Sequence, residues 1–110
     1  MDARQFLTDQ LSKIARMDAS DLYLKANEPV RYRVAENVKI LDSRVLTREE
    51  MIEIVGQITT EYHTKLLKEY GSVDFALDLK NLGRIRLNIF SQRGDSCIVI
   101  RLVKNEIPPF

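Results

Sequence analysis

Between Val73 and Ile89 the chain alternates apolar and polar residues twice, with one short interruption. Val73, Phe75, Leu77 and Leu79 alternate with Asp74, Ala76 and Asp78; Ile85, Leu87 and Ile89 then alternate with Arg84, Arg86 and Asn88. Period two marks a strand with one apolar and one wet face, and Lys80-Asn-Leu-Gly83 supplies the hairpin turn between them. Such a hairpin has to bury one face against other elements, which the rest of the chain must provide.

More β structure is legible on both sides of it. Asp21–Lys25, Val30–Val34 and Val38–Leu41 read as three short strands in an antiparallel meander. Asn27-Glu28-Pro29 reads as a turn between the first two. After the turn-forming Gln92-Arg-Gly-Asp95, a last strand is expected from Cys97 to Val103. The covering layer is helical. Phe6, Leu7, Leu11, Ile14 and Met17 recur at three- and four-residue steps across Ala3–Met17. Thr47-Arg-Glu-Glu50 has the form of a capping box opening a second helix, with Met51, Ile52, Ile54, Val55 and Ile58 on its apolar side. Thr60 can cap a third helix that runs through Leu66 and Leu67 and stops at Gly71. The order of elements predicts an α+β fold: an antiparallel sheet with an N-terminal helix and a helical hairpin packed on it.

With 110 residues, 45% of them hydrophobic and 30% charged, one compact domain is expected, with neither the composition of a disordered segment nor an apolar run of membrane-spanning length. The 17 basic and 16 acidic residues leave a formal charge of +1, which provides no global field for a polyanion. No nucleic acid partner is expected, since Phe90 and Tyr23 alone do not make an RNA-recognition sheet. Charges within Met1–Gln10, where a signal peptide would be apolar, and the single Cys97 predict a cytoplasmic protein. No Walker-type glycine loop and no zinc-ligand spacing appear, so the chain by itself is not expected to be an enzyme or to hold a metal. His63 is read as a surface or packing residue and Cys97 as a small buried hydrophobe. Asp74 and Asp78 share a face but stand roughly 13 Å apart, long for paired acid/base work.

The informative segment is Arg84-Ile-Arg86-Leu-Asn88, whose period sends two arginines and an asparagine to one face. If the last two strands pair, Arg101 and the turn residue Arg93 could lie nearby. Two readings stand side by side: a guanidinium pocket for phosphate or carboxylate, or a solvated face neutralised by Asp74 and Asp78. Arg101, set among Ile98, Val99, Ile100, Leu102 and Val103, requires a carboxylate partner or an interface.

Taken in order, Ala19-Ser-Asp-Leu22, Gly83-Arg-Ile-Arg-Leu-Asn-Ile-Phe90, Gln92-Arg-Gly94, Ile100-Arg-Leu102 and Glu106-Ile-Pro108 resemble the amino-terminal domain of the PilT/PilB/GspE family of twitching-motility and type II secretion ATPases. Two positions depart from the family pattern: Tyr23 stands where histidine is usual, and Ala35-Glu36 where Asp-Gly is frequent. The resemblance implies a PAS-like domain over residues 1–106 and the start of a linker at 107–110, leading to a RecA-like ATPase core. It implies a homo-hexameric motor, cytoplasmic or peripheral at the inner membrane, that uses ATP and Mg2+ held by that core and acts through pilus or secretion platform proteins. The isolated domain would hold no cofactor. Its partners would be its own core and neighbouring subunits. By the same resemblance Arg84 and Arg86, with Arg93 and Arg101 as secondary candidates, would approach the nucleotide phosphates, and retraction is favoured by the short leader before Ala19. The alternative is a free-standing PAS-like module that binds a ligand or protein between sheet and helices.

Overall fold

The computed structural model, which describes residues 1–103, contains three helices and six strands. In chain order they are α1 (Ala3–Ala15), β1 (Asp21–Lys25), β2 (Pro29–Val34), β3 (Asn37–Val45), α2 (Arg48–Ile58), α3 (Glu61–Tyr70), β4 (Ser72–Leu79), β5 (Gly83–Gln92) and β6 (Asp95–Leu102). The expected linker at 107–110 and the domain boundary at 106 lie outside the described residues.

The six strands form one antiparallel sheet in the order β3-β2-β1-β6-β5-β4. It consists of two three-stranded meanders joined along β1 and β6. The joint is apolar on its inner face, where Leu22 lies opposite Ile100 and Leu24 opposite Ile98. Across β5 the same layer continues through Leu87 and Ile89, opposite Ile100 and Ile98. All of these residues are at most 2% exposed.

The helices supply the cover that the hairpin pattern requires. Leu7, Leu11 and Ile14 of α1 and Met51, Ile54 and Ile58 of α2 join the strand residues in one core. Asp2 caps α1 by accepting from the Gln5 N–H. α1 and α2 pack on each other and are tied at their ends by Gln57, which accepts from the Ala3 N–H (2.8 Å) and donates to the Met1 carbonyl (2.6 Å). α3 follows α2 directly but lies against β4 and β5, with Leu66 and Leu67 half-buried on the core. Its first turn is closed by His63, read from the sequence as a surface or packing residue: His63 Nδ1 accepts from the Thr60 N–H (3.1 Å), and its ring stacks on Phe75 at 4.1 Å. Gly71 ends α3 at φ 77°, the left-handed position that glycine adopts without penalty.

The capping box at α2 forms as expected, with Thr47 Oγ1 accepting from the Glu50 N–H and Glu50 Oε1 accepting from the Thr47 N–H, both at 3.1 Å. The Thr47 N–H, and after it the Arg44 guanidinium, hold the Glu50 carboxyl below its ordinary 4.5. Replacing Thr47 with alanine should cost about 1 kcal/mol of folding free energy, read as a shift of the urea midpoint without a change of slope.

Two boundaries moved. α1 stops at Ala15, short of Met17, which is 44% exposed and outside the core. β3 extends to Val45, beyond the expected Leu41, because register shifts near Pro29 and Val30 bring Val45 opposite Pro29. The turn between β2 and β3 holds Ala35 at φ 53°, which accounts physically for the frequent Asp-Gly at such a position.

Candidate functional site

With all three helices on one side, the other face of the sheet is open, and the registers fix what it carries. On β4 and β5, Asp78 lies opposite Arg84, Ala76 opposite Arg86, and Asp74 opposite Asn88. Arg84 Nε reaches Asp78 Oδ1 at 3.3 Å, and Asn88 Nδ2 donates to Asp74 Oδ1 at 2.9 Å. The neutralised-face reading therefore holds for Arg84 and Asn88. It does not hold for Arg86, which faces a methyl group instead of a carboxylate and has no acidic partner among the described residues.

On its other side Arg86 is directly opposite Arg101 of β6. Opposed residues in a sheet have Cβ atoms about 5 Å apart, and like charges in that position repel. Arg101 in turn lies opposite Asp21 of β1. Its Nε is 3.1 Å from Asp21 Oδ1, with the Arg101 side chain 69% exposed and the Asp21 side chain only 6% exposed. The carboxylate is thus built into the sheet and grips the arginine by the inner nitrogen, while the terminal Nη groups, the fork that binds oxyanions, stay in solvent. This meets the requirement of a carboxylate partner for Arg101. Asp21, Asp74, Arg86, Asn88 and Arg101 line a depression of about 260 Å³ together with Leu87 and Val99.

Arg93 stands apart from this group. It occupies the β5–β6 turn at φ 53°, seven residue steps beyond Arg86, roughly 24 Å at 3.4 Å per step. Sequence reasoning named Arg84, Arg86 and Arg101 but missed Asp21 as the anchor. It also passed over Arg33 of β2, which lies opposite Asp21 on the same face. The only signal for Asp21 was its place at the start of an alternating strand, on the same face as Tyr23 and Lys25.

Cys97 is 5% exposed, and burial pushes its thiol above the ordinary value, which disfavours the thiolate. Among the described residues no group of three or more His, Cys, Asp or Glu is placed to hold a metal ion, and no helix is long and apolar enough to cross a membrane.

Three helices backing a six-stranded antiparallel sheet form the α+β fold of the amino-terminal domain of the pilus retraction motor PilT. The chain is homologous to two pilus ATPases, PilT and PilU, over most of its length. It is 26% identical over 101 residues to the type IV pilus retraction ATPase PilT of Pseudomonas aeruginosa, a match that covers 92% of this chain and 29% of that protein. With the type IV pilus ATPase PilU of the same organism it shares 28% over 89 residues, covering 81% and 23%. The crystal structure of the pilus retraction motor PilT with bound ADP superposes with a TM-score of 0.80 at 27% identity, over 98% of this chain and 31% of that one. The Legionella pneumophila ATPase DotB has the same fold, with a TM-score of 0.77 at 21% identity over 96% and 30%. No family model matches the sequence. The chain spans less than a third of the length of the relatives it matches.

Proposed function

We propose that this chain is the amino-terminal domain of a hexameric pilus or secretion motor ATPase and that its open face closes over nucleotide held by a RecA-like core. The motor hydrolyses ATP with Mg2+ bound at that core, works from the cytoplasm, and acts through the inner-membrane platform of the pilus or secretion machine. This domain supplies arginines and subunit contacts and converts its own movement into work. Arg86 and Arg101 are the principal phosphate contacts, Arg84 joins them when released from Asp78, and Arg93 serves the far edge of the same interface.

The observation that carries this reading is the Arg86–Arg101 opposition. Two guanidinium groups directly across a sheet, one with no carboxylate and the other held by its inner nitrogen, form a site relieved by an anion arriving from outside the domain. Such a cation, delivered by a moving domain, acts on charge that develops on the transferred phosphoryl group. A free-standing ligand-binding module would need room between sheet and helices, and that space is occupied by Leu7, Leu11, Leu22, Ile54, Leu87 and Ile100, all at most 2% exposed.

The test is Arg86→Ala in the intact motor. Turnover should fall by roughly 10²-fold, the scale of losing one donor to developing charge, while nucleotide affinity changes far less. Unchanged turnover and affinity would remove this face from the nucleotide site.

A further inference from the structure

The sheet ends in β3 on one side and β4 on the other, and the two edges differ. β3 departs from regular register near Pro29 and Val30 and carries Lys39 and Arg44, a combination of bulge and cation that discourages a further strand. β4 pairs with β5 without a break from Ser72 to Leu79 and contains neither proline nor lysine. Just before it, the Gly71 carbonyl accepts from the Ser91 N–H at 3.1 Å. Bonded and non-bonded pairs alternate along an antiparallel ladder. β4 therefore turns the N–H and C=O of Val73, Phe75 and Leu77 toward β5, and those of Ser72, Asp74, Ala76 and Asp78 toward the free edge.

α3 overhangs that edge. None of its residues is buried. Thr64 faces the depression it shares with Gly56 of α2, and Tyr62 lies about 200° away around the helix, at roughly 100° per residue. Tyr62 thus sits on the flank turned away from α2. Since α2 packs on β6 and α3 on β4, this flank lies over the free side of β4. Tyr62, Leu66 and Tyr70 recur along it at four-residue steps; Leu66 is half-buried, and the tyrosines are 66% and 70% exposed. Below them Phe75 and Leu77 of β4 are also only half-buried.

We propose that β4 and α3 form a groove that takes an extended segment of a partner protein as an added strand. The backbone groups of Asp74, Ala76 and Asp78 give it a ladder, and its helix-side residues, apolar, lie against Phe75, Leu77 and the Tyr62–Leu66 flank. On the opposite side it carries a basic residue facing Asp74. That carboxylate receives only the neutral Asn88 amide, at 2.9 Å, and has no ion pair among the described residues, whereas Asp78 has Arg84. A second copy of this chain fits poorly, because the only charges its own β4 would bring to the shared face are two more carboxylates.

The probe is a short synthetic peptide in which valine alternates with threonine and one central threonine is replaced by arginine; its counterpart carries glutamate there. Amide hydrogen exchange of this chain is followed by NMR. With the arginine peptide at about ten times its Kd, exchange at Asp74, Ala76 and Asp78 should slow about tenfold by mass action, and the amides of β3 should not change. Asp74→Lys should weaken the arginine peptide about threefold, the scale of an exposed ion pair, and strengthen the glutamate peptide. Ala76→Pro removes an N–H that makes no bond to β5, a place where an edge strand tolerates proline; the urea midpoint should stay nearly unchanged while the peptide's protection is lost. Equal binding of both peptides that ignores Asp74→Lys overturns the proposal. So does protection of the three amides that appears without peptide and grows with protein concentration, which would mean that the edge pairs with another copy. Absence of protection with either peptide also overturns it.

Discussion

Combining Arg86→Ala with Arg101→Lys in the intact motor is expected to lower ATP turnover by about 10³-fold, within the range by which arginine contacts assist phosphoryl transfer. The choice of lysine at 101 matters. Asp21 is buried, and alanine would leave its carboxylate without a cation, so lost activity could reflect a damaged sheet. Lysine retains a charge to meet Asp21 but lacks the planar fork that grips two phosphate oxygens. An unchanged urea midpoint with collapsed turnover therefore isolates phosphate recognition from folding. Two single substitutions calibrate the result. Arg84→Ala should cost less, because that guanidinium is already paired with Asp78 at 3.3 Å. Arg93→Ala should cost least, being at the far end of the hairpin. If Arg93→Ala were the most damaging of the set, the domain would meet nucleotide by its turn and not by its open face.

The second large effect concerns the joint between the meanders. Ile100→Ala should destabilise the domain by about 3–4 kcal/mol. Ile100 is fully buried and sits between Leu22 and Leu87, so both halves of the sheet lose contact with the three carbons removed. Against the 5–15 kcal/mol typical of a whole domain, that is a large share, and the melting temperature should fall by about 15 °C or more. The adjacent residue provides the control. Val99 points to the open face, opposite Tyr23 and Asn88, and Val99→Ala should cost about 1 kcal/mol or less. Comparable losses at the two positions would mean that the open face is packed against something in solution.

What the sequence could and could not convey follows from distance along the chain. The strands of the 73–89 hairpin, the Thr47 capping box and the Gly71 stop are local patterns, and each formed where its residues indicated. That Arg101 needed a partner was also legible, since a charge in an apolar strand is costly. Which carboxylate would serve was not, because Asp21 lies 80 residues away and only the β1–β6 pairing brings them together. The exceptional position of Arg86 depends on a hairpin register that puts Ala76, and not Asp74 or Asp78, across from it. A slip by two residues would have neutralised it, and alternation alone does not distinguish those registers. Arg33 was passed over for a similar reason. Within its own strand it is one more polar residue in an alternating run, and its position in a row of charges arises from three separate strand pairings.

The β1–β6 joint has a kinetic corollary. Each meander is made of neighbouring strands, whose short loops close at little entropic cost, but the two can meet only by closing a loop of about 80 residues. Of the five strand pairings in the sheet, β1 with β6 is the one most distant in sequence, so the anchored geometry of Arg101 depends on the two ends of the fold having found each other.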